Sequence, residues 1–472
     1  MVPLFFTLFL GVFSKRLTRL NNDEPLEIGP NYQTLWFTEQ LDHINRDPGT
    51  INIRVLFSQG SPTAPLFVYT GNEGPITQFY QMTGWLVGTL GPQYNASVAF
   101  IEHRYYGESI PSPFSWKYLS TDQVLWDFAD IIQQLKPSNS TPVIVFGGSY
   151  GGMLAAYFRV KYPQFVDGAI ASSAPVLMPQ DVNGTSYARI STNDYFNVER
   201  DCEGNIHNGF LILDNFIDRP LTYTALENIF NPCQSIQEQG DVLALEDFIT
   251  GAFQDMSQLD YPYPANVGGL LPGYPVNVSC SVMSQFSQNE NMWQALMGFA
   301  QINNLVYNWT GNLTCFDIYG AEGNGLDPWT YQTCTELIFP LGQYGLPNDM
   351  YPVRPWNPTQ WAKMCQGLFG VQPRPDWAPI NYGMGTFNVN VTLASASNIV
   401  FSYGTLDPWG GGCIQEPIND QTVVIGIKGG AHHLDLRTPN PRDPQSVLYA
   451  RSREVAMINQ WIGQAMEKFA RY

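Results

Sequence analysis

The chain has 472 residues, of which 44% are hydrophobic and 14% charged, so it can bury a sizeable core and is not globally disordered. Its 23 lysines and arginines are outnumbered by 41 aspartates and glutamates, and the resulting net charge of −18 argues against nucleic acid as a partner. The length fits several domains or one large α/β domain with an insertion. The many glycines, prolines and aromatic residues are typical of a loop-rich secreted or lumenal enzyme.

The N-terminus indicates the secretory pathway. Residues 2–13 form an apolar run that is too short to cross a bilayer, and it predicts a signal peptide over residues 1–14. A buried N-terminal helix is the alternative. No later apolar stretch reaches about 18 residues, so we expect no membrane span. The sequons predict glycosylation at Asn95, Asn139, Asn183, Asn277, Asn308, Asn312 and Asn390. The expected destination is the lysosome or the extracellular space.

Strand and helix patterns alternate over the first third of the chain. Short apolar runs predict strands over Ile51–Phe57, Pro65–Tyr69, Ser97–Ile101 and Pro142–Phe146. Apolar residues at helical spacing predict a helix over Thr121–Leu135. This alternation implies an α/β core with a parallel sheet that is covered on both faces.

The strand pattern fades near residue 178 and returns near residue 398. Helical stretches over Val242–Phe253 and Asn291–Asn304 lie among proline-rich and aromatic loops. Two strands over Asn398–Tyr403 and Thr422–Ile427 precede a final amphipathic helix over Pro444–Phe469. We therefore predict a first part of the core over residues 30–178, a helical insertion over 179–392 and a second part of the core over 393–472.

The cysteines favour disulfide bonds over metal binding. They are Cys202, Cys233, Cys280, Cys315, Cys334, Cys365 and Cys413. Because no pair has C-x-x-C spacing and none is next to a histidine, we predict neither a metal site nor a cofactor. The first six predict one disulfide-stapled region, and the odd count leaves one thiol unpaired. Buried reduced cysteines are the alternative.

A G-x-S-x-G motif provides a candidate nucleophile. Ser149 lies in Gly147–Gly151, directly after a predicted strand and directly before an apolar helical stretch. Such a sharp turn requires small flanking residues, and it places the serine hydroxyl at a helix N-terminus above the sheet. We predict that Ser149 is a nucleophile, with an ordinary glycine-rich turn as the alternative.

A histidine and an aspartate follow in the order expected of a Ser-Asp-His triad. Asp407 comes immediately after one of the two late strands, and His432 and His433 follow the other. Active sites form at the carboxyl ends of parallel strands, and an aspartate there can orient an imidazole base. The alternatives are an aspartate that only begins a turn before Pro408 and histidines that only cap a loop.

Several segments together resemble the prolyl carboxypeptidase and dipeptidyl-peptidase II family of serine peptidases. They are the elbow motif and the segments Tyr69–Gly74, Glu102–Ser109, Asp260–Pro264, Tyr331–Glu336, Leu406–Trp409 and Gly430–Arg437. The resemblance covers nearly all of the chain after the N-terminal segment. It implies an α/β-hydrolase fold with a helical, disulfide-stapled insertion (cap) domain, and cleavage of peptides next to proline in a lumenal compartment.

The resemblance also implies roles for individual residues. Ser149 is the nucleophile, Asp407 the orienting carboxylate and His432 the base, while His433 and Arg437 form a supporting pair whose charge resists protonation of His432. The implied oxyanion hole uses Tyr150, Gly71 and Asn72, and the implied substrate-binding residues are Met153, Trp409, Glu73 and Asp327. Core packing is the alternative for Met153 and Trp409. The implied disulfides are Cys202–Cys280, Cys233–Cys315 and Cys334–Cys365, with Cys413 as the spare thiol.

The two branches of the family differ in the end of the peptide that they recognise. A dipeptidyl peptidase binds an N-terminal ammonium, usually through an acid, and Asp327 lies in a loop that is shorter here than in that branch. We therefore predict a lysosomal Pro-X carboxypeptidase whose partner is a proline-containing peptide. A dipeptidyl-peptidase II-like enzyme that releases X-Pro or X-Ala dipeptides is the first alternative, and a carboxylesterase of the same fold is a more distant one. A homodimer stays open as the assembly.

Overall fold

The computed structural model describes residues 31–45, 49–181, 183–267, 269–287, 292–319, 326–383 and 396–470. The predicted signal peptide and the sequon at Asn390 lie outside these residues. The other six sequon asparagines are exposed or partly exposed, and their glycosylation stays a prediction. Within the described residues, no helix combines the length and the apolar character that crossing a membrane would require.

Eight of the ten strands in the described residues form one central sheet. The strands are β1 Gln33–Gln40, β2 Thr50–Ser58, β3 Leu66–Thr70, β4 Ser97–Ile101, β5 Val143–Gly148, β6 Gly168–Ser172, β7 Ala265–Asn266, β8 Leu270–Leu271, β9 Ile399–Gly404 and β10 Thr422–Ile427. The order in the sheet is β1-β2-β4-β3-β5-β6-β9-β10, and β7 pairs with β8 in a small hairpin.

The sheet is mostly parallel, which confirms the predicted α/β core, and its antiparallel part lies at one edge. Strand β2 is antiparallel to both β1 and β4. The remaining neighbours in the order of the central sheet, from β4 through β3, β5, β6 and β9 to β10, are all parallel. The connection from Gln40 to Thr50 is too short for a crossover, so β2 returns antiparallel beside β1.

Helices cover both faces of the sheet, and further helices form the insertion. They are α1 Ile76–Met82, α2 Gly91–Tyr94, α3 Thr121–Leu135, α4 Tyr150–Lys161, α5 Ser186–Val198, α6 Cys202–Asp214, α7 Tyr223–Phe230, α8 Gln239–Gln258, α9 Pro275–Ser287, α10 Met292–Tyr307, α11 Pro328–Thr333, α12 Pro358–Phe369, α13 Trp377–Tyr382 and α14 Gln445–Ala470.

The core lies in two layers separated by the sheet. Val145 of β5 packs in one layer with Phe128 of α3 and Phe158 of α4. Phe146, the next residue of β5, belongs to the opposite layer, which also contains Trp461 of α14. Successive side chains of a strand point to opposite faces, so each buried strand contributes to both layers.

The described chain between β6 and β9 adds helices α5–α13 and the β7–β8 hairpin, but no strand of the central sheet. Disulfide bonds join Cys202 to Cys280, Cys233 to Cys315 and Cys334 to Cys365, as the family resemblance implies. Cys413 is a buried free thiol. This region packs on the core partly through aromatic rings, and Tyr382 of α13 stacks on Tyr157 of α4 with 4.1 Å between ring centroids. The predicted domain boundaries stay predictions.

Several carboxyl groups are buried in this fold. Glu336 is 1% exposed, and its Oε1 accepts hydrogen bonds from the Thr121 backbone N–H and, at 2.7 Å, from the Thr121 hydroxyl. Burial raises the pKa of Glu336 to about 7. Burial likewise raises the pKa values of Glu39, Glu73, Asp194, Glu246, Asp247 and Asp260. An acid whose pKa is raised by folding stabilises the fold below its unfolded pKa, and this contribution is lost as the pH rises through the folded pKa.

We predict that Glu336→Gln flattens the pH dependence of stability between about pH 4.5 and 7. The glutamine keeps the acceptor for Thr121 and cannot ionise, so the variant should retain about 3 kcal/mol that the wild type loses across this window. The measurement is the free energy of unfolding at pH 4.5 and pH 8. The exposed Glu467→Gln on α14 is the control and should follow the wild type. A parallel fall in all three proteins would contradict the prediction.

Candidate active site

Ser149 lies in a sharp turn between β5 and α4. Its φ of 59° and ψ of −129° lie in a region that residues with a β-carbon rarely adopt. The Ser149 N–H donates to the Ser172 carbonyl of β6 at 3.0 Å, and its carbonyl accepts from the Met153 N–H at 3.0 Å. The strained conformation is therefore fixed by the sheet on one side and by the helix on the other.

The glycines around Ser149 are required by close contacts. A β-carbon added to Gly147 would lie 2.0 Å from the Gly151 carbonyl oxygen, and one added to Gly151 would lie 2.2 Å from Asn72 Oδ1. Both distances are far below a normal contact. The motif therefore forms the strand-turn-helix elbow that its sequence predicts.

His432 and Asp407 form a buried hydrogen-bonded pair. The distance from His432 Nδ1 to Asp407 Oδ2 is 2.9 Å, and neither side chain is exposed. Because a carboxylate can only accept, Nδ1 carries the proton and Nε2 is the basic nitrogen. Asp407 Oδ1 also accepts from the Trp409 N–H at 3.1 Å. The aspartate therefore both begins the turn and orients the imidazole, which the sequence had treated as alternatives.

The three predicted triad residues lie at one edge of the sheet. Ser149 follows β5, Asp407 follows β9 and His432 follows β10, and the carboxyl ends of these parallel strands meet at the same edge. The histidine loop also contacts the elbow, because a β-carbon on Gly148 would lie 3.0 Å from the His433 ring. The arrangement can support nucleophilic acyl transfer.

The backbone of His432 is held by the insertion. Its N–H donates to the carbonyl of Gln258 at 3.1 Å, and its carbonyl accepts from the Tyr261 hydroxyl at 2.8 Å. Tyr261 belongs to the Asp260–Pro264 segment, which the sequence connected with the family only by resemblance. The structure gives that segment a physical role, since it positions the histidine.

His433 and Arg437 differ in charge. Burial lowers the pKa of His433 well below its usual range, and the neighbouring His432 and Arg437 lower it further, so His433 is neutral. The guanidinium of Arg437 lies 4.8 Å from the ring centroid of Tyr261. The cation of the expected supporting pair is therefore Arg437, while His433 packs its ring 4.5 Å from that of His432.

The loop after β3 differs from expectation at Gly71. The Gly71 N–H donates to the Ile101 carbonyl at 3.0 Å, so it is already used and does not serve the predicted oxyanion hole. The Asn72 side chain instead joins this loop to the elbow, because Nδ2 donates to the Gly148 carbonyl at 2.7 Å. The Tyr150 and Asn72 amides remain the candidates for that role. The net effect of burial is to raise the pKa of the neighbouring Glu73 to about 7, although the interaction with His432 acts in the opposite direction.

Aromatic side chains surround the predicted proline pocket. Trp409 is partly exposed, and its ring centroid lies 4.9 Å from Tyr187 and 6.0 Å from Phe339. Trp329 continues the row, since it lies 5.9 Å from Phe339. Met153 is fully buried beneath the elbow. Trp409 therefore belongs to an apolar wall, whereas the contacts of Met153 are those of core packing.

Asp327 serves as a helix cap. Its two carboxylate oxygens accept from the N–H and the hydroxyl of Thr330, at 2.9 and 2.6 Å, at the beginning of α11. Both oxygens are therefore engaged within the helix that they cap. The structure does not bring Asp327 into hydrogen-bond contact with the triad residues.

Comparison with known proteins places the chain in a family. A model of the serine carboxypeptidase S28 family matches residues 54–454. The chain belongs to this family. The lysosomal Pro-X carboxypeptidase of Homo sapiens is 36% identical, with 92% of this chain and 89% of the relative covered. The prolyl carboxy peptidase like protein 5 of Caenorhabditis elegans is 35% identical, with coverages of 86% and 85%. The protein is therefore a serine-type peptidase.

This S28 peptidase also contains a polar network that the sequence analysis missed. The hydroxyl of Tyr150 lies 3.1 Å from His103 Nε2 and accepts from Gln332 Nε2 at 2.8 Å, while Gln332 Oε1 accepts from Tyr106 at 2.6 Å. His103 Nδ1 lies 2.6 Å from the carbonyl of Arg104, so Nδ1 carries the proton and Nε2 accepts from Tyr150. The insertion thus holds Tyr150, the residue next to Ser149. The only sequence indication was that these residues lie in motifs shared with the family.

A possible cation site lies elsewhere in the S28 peptidase. Glu39 of β1, His43 just after that strand and Asp130 of α3 bring potential ligand atoms within 4.8 Å of one another. His43 Nε2 is 2.8 Å from Asp127 Oδ1. These residues are not on the loops that carry Ser149, and the acyl-transfer chemistry of those loops does not require a metal.

We predict that Gly151→Ala destabilises the S28 peptidase by about 2 kcal/mol, because the new methyl group would overlap Asn72 Oδ1 and the Thr70 carbonyl. The melting temperature and the rate of Ser149 labelling by a fluorophosphonate should both fall. Gly463→Ala on α14 is the matched control, since a β-carbon there meets nothing within 4 Å. It should be neutral or stabilising by up to about 1 kcal/mol. Equal melting temperatures for the two variants would contradict the packing argument.

Proposed function

We propose that this peptidase is a serine exopeptidase that removes a single C-terminal residue after proline. The observation that carries the proposal is the buried His432–Asp407 hydrogen bond at the sheet edge where the elbow presents Ser149. The preference for proline is supported by relatives whose names describe Pro-X carboxypeptidases. The aromatic wall at Trp409 suits a proline ring, because the ring is apolar and its nitrogen has no hydrogen to satisfy.

The proposed reaction proceeds through an acyl-enzyme. Ser149 Oγ attacks the carbonyl carbon of the proline and transfers its proton to His432 Nε2, while Asp407 stabilises the imidazolium. His432 then protonates the leaving amine, the C–N bond breaks and the peptidyl ester remains on Ser149. A water molecule attacks this ester by the reverse sequence of proton transfers. The amides of Tyr150 and Asn72 bind the oxyanion in both steps.

The contacts of Asp327 support a carboxypeptidase. An acid that already caps α11 with both oxygens is poorly suited to bind a peptide ammonium. Release of N-terminal dipeptides is the second candidate, and Asp194 is the observation that favours it. This buried acid interacts with Asp407, and burial raises its pKa to about 9. The protonated form has no charge to pair with an ammonium, so we rank this candidate second. An esterase of the same fold ranks third.

We propose an acidic lumen as the working compartment. The three disulfides indicate the secretory pathway, and the human relative is named a lysosomal Pro-X carboxypeptidase. The guanidinium of Arg437 opposes protonation of His433 and so lowers the pKa of that residue. We propose the lysosome as the destination, with secretion as the alternative, and a homodimer as the assembly.

We predict that Ser149→Ala folds normally and loses turnover on the order of a millionfold. His432→Ala should be equally inactive, because this imidazole bonds to Asp407. His433→Ala should retain a weakened activity with a shifted pH profile, since its ring only packs against His432. Single-turnover rates together with melting curves test these expectations. A Ser149→Ala enzyme with more than about a tenth of wild-type activity would refute the nucleophile, and a greater loss at His433 would exchange the histidine roles.

We also predict that acyl-blocked peptides ending in Pro-X are better substrates than free-amine X-Pro chromogenic substrates. The reason is the engaged carboxylate of Asp327. The measurement is kcat/KM for both substrates from pH 4 to 8, and kcat should fall at low pH as the imidazole becomes protonated. If the free-amine substrate is preferred by about tenfold, or 1.4 kcal/mol, the dipeptidyl alternative replaces the proposal.

A further inference from the structure

Gln258 connects the insertion to two loops of the candidate active site. It is the last residue of α8, it is only 2% exposed, and its backbone carbonyl binds the N–H of His432. Its side-chain Oε1 accepts from Trp409 Nε1 at 3.0 Å, and the Tyr187 hydroxyl lies 3.4 Å away. The carboxamide therefore lies at the aromatic wall and close to the His432–Asp407 pair.

The orientation of this carboxamide is determined by its neighbours. An indole N–H can only donate, so the oxygen of Gln258 must face Trp409 and the nitrogen must face away. Gln258 Nε2 is buried and makes no hydrogen bond to any of the described residues. A buried donor without an acceptor is costly and requires an explanation. A substrate acceptor at this position would provide one.

The surrounding charges restrict what that acceptor can be. Burial and Tyr351 raise the pKa of Tyr187, and Asp255, Asp407 and Asp194 raise it further, so this part of the site is rich in acids. Asp194 is protonated, but the Asp407 carboxylate would repel a negatively charged acceptor such as a terminal carboxylate. A neutral carbonyl oxygen is compatible both with the acids and with a neutral amide donor.

A peptide that contains proline offers one such carbonyl. The bond that precedes proline has no N–H, so its carbonyl oxygen is the hydrogen-bonding group of that peptide unit. We propose that Gln258 Nε2 donates to the carbonyl oxygen of the residue preceding the substrate proline while the proline ring contacts Trp409. Gln258 is then a specificity-determining residue. The inference rests on the proposed function, since it assumes that proline occupies the wall at Trp409.

The test compares two substrates in two enzymes. One is an acyl-blocked X-Pro-Phe peptide, and the other replaces the X–Pro amide by a neutral alkene isostere that stays planar but has no carbonyl oxygen. The wild type should lose about 10- to 100-fold in kcat/KM on the isostere. Gln258→Met should lose a similar factor on the peptide and distinguish the two substrates by less than about twofold. Because each enzyme is compared with itself, general damage to folding cancels in this ratio.

Gln254→Met is the matched control. Gln254 is buried one turn earlier on α8 and, within the described chain, makes no hydrogen bond to Trp409 or His432. This variant should keep the full wild-type discrimination between the two substrates.

Three results would overturn the inference. The first is a Gln258→Met enzyme that discriminates the two substrates as strongly as the wild type. The second is a loss of kcat/KM in Gln258→Met that disappears when the C-terminal residue of the substrate is amidated, because Gln258 would then recognise the substrate carboxylate. The third is a wild type that does not cleave the blocked peptide at all. That result would refute the proposed function together with the inference, whereas the first two leave Pro-X cleavage intact.

Discussion

The backbone of Ser149 is the constraint on which the rest of the site depends. A positive φ at a residue with a β-carbon costs about 1–3 kcal/mol and persists only where its surroundings enforce it. Here the Ser172 carbonyl fixes the serine N–H, and Asn72 binds the preceding glycine carbonyl. Because there is no room for a β-carbon at Gly151, the elbow and the loop after β3 can approach this closely. Ser149, the proposed nucleophile, and the proposed oxyanion site therefore form one packed unit.

The insertion is part of this unit rather than a separate cover. Gln332 binds the hydroxyl of Tyr150, beside Ser149, while Tyr261 and Gln258 hold the backbone of His432. The disulfide at Cys334 follows directly after α11, which carries Gln332. Residues between β6 and β9 thus fix both ends of the proposed triad, although they add no strand of the central sheet within the described chain.

Local patterns predicted the elements that local interactions determine. Strands β4 and β10 and helix α3 have the predicted bounds, and the elbow was predictable because its glycines are adjacent to the serine. Strand β6 was missed, since Gly168–Ser172 has few residues with a strand preference and the tryptophan of α14 packs directly on Gly168. The contacts of Gln258 and Gln332 were not predictable, because they join residues more than 150 positions apart. Such pairings are set by tertiary packing.

The buried acids have a consequence for the lifetime of the molecule. Each of them keeps its proton in the folded chain at acidic pH, whereas the unfolded chain releases the same protons as the pH rises towards neutral. The free energy of unfolding is then smaller, although the contacts of the folded chain are unchanged and no inhibitor has bound. A molecule that escapes from its compartment should unfold and be degraded sooner than an identical one that stays inside. The buried acids of the core therefore restrict the range of pH, and with it the kind of compartment, in which the enzyme stays folded.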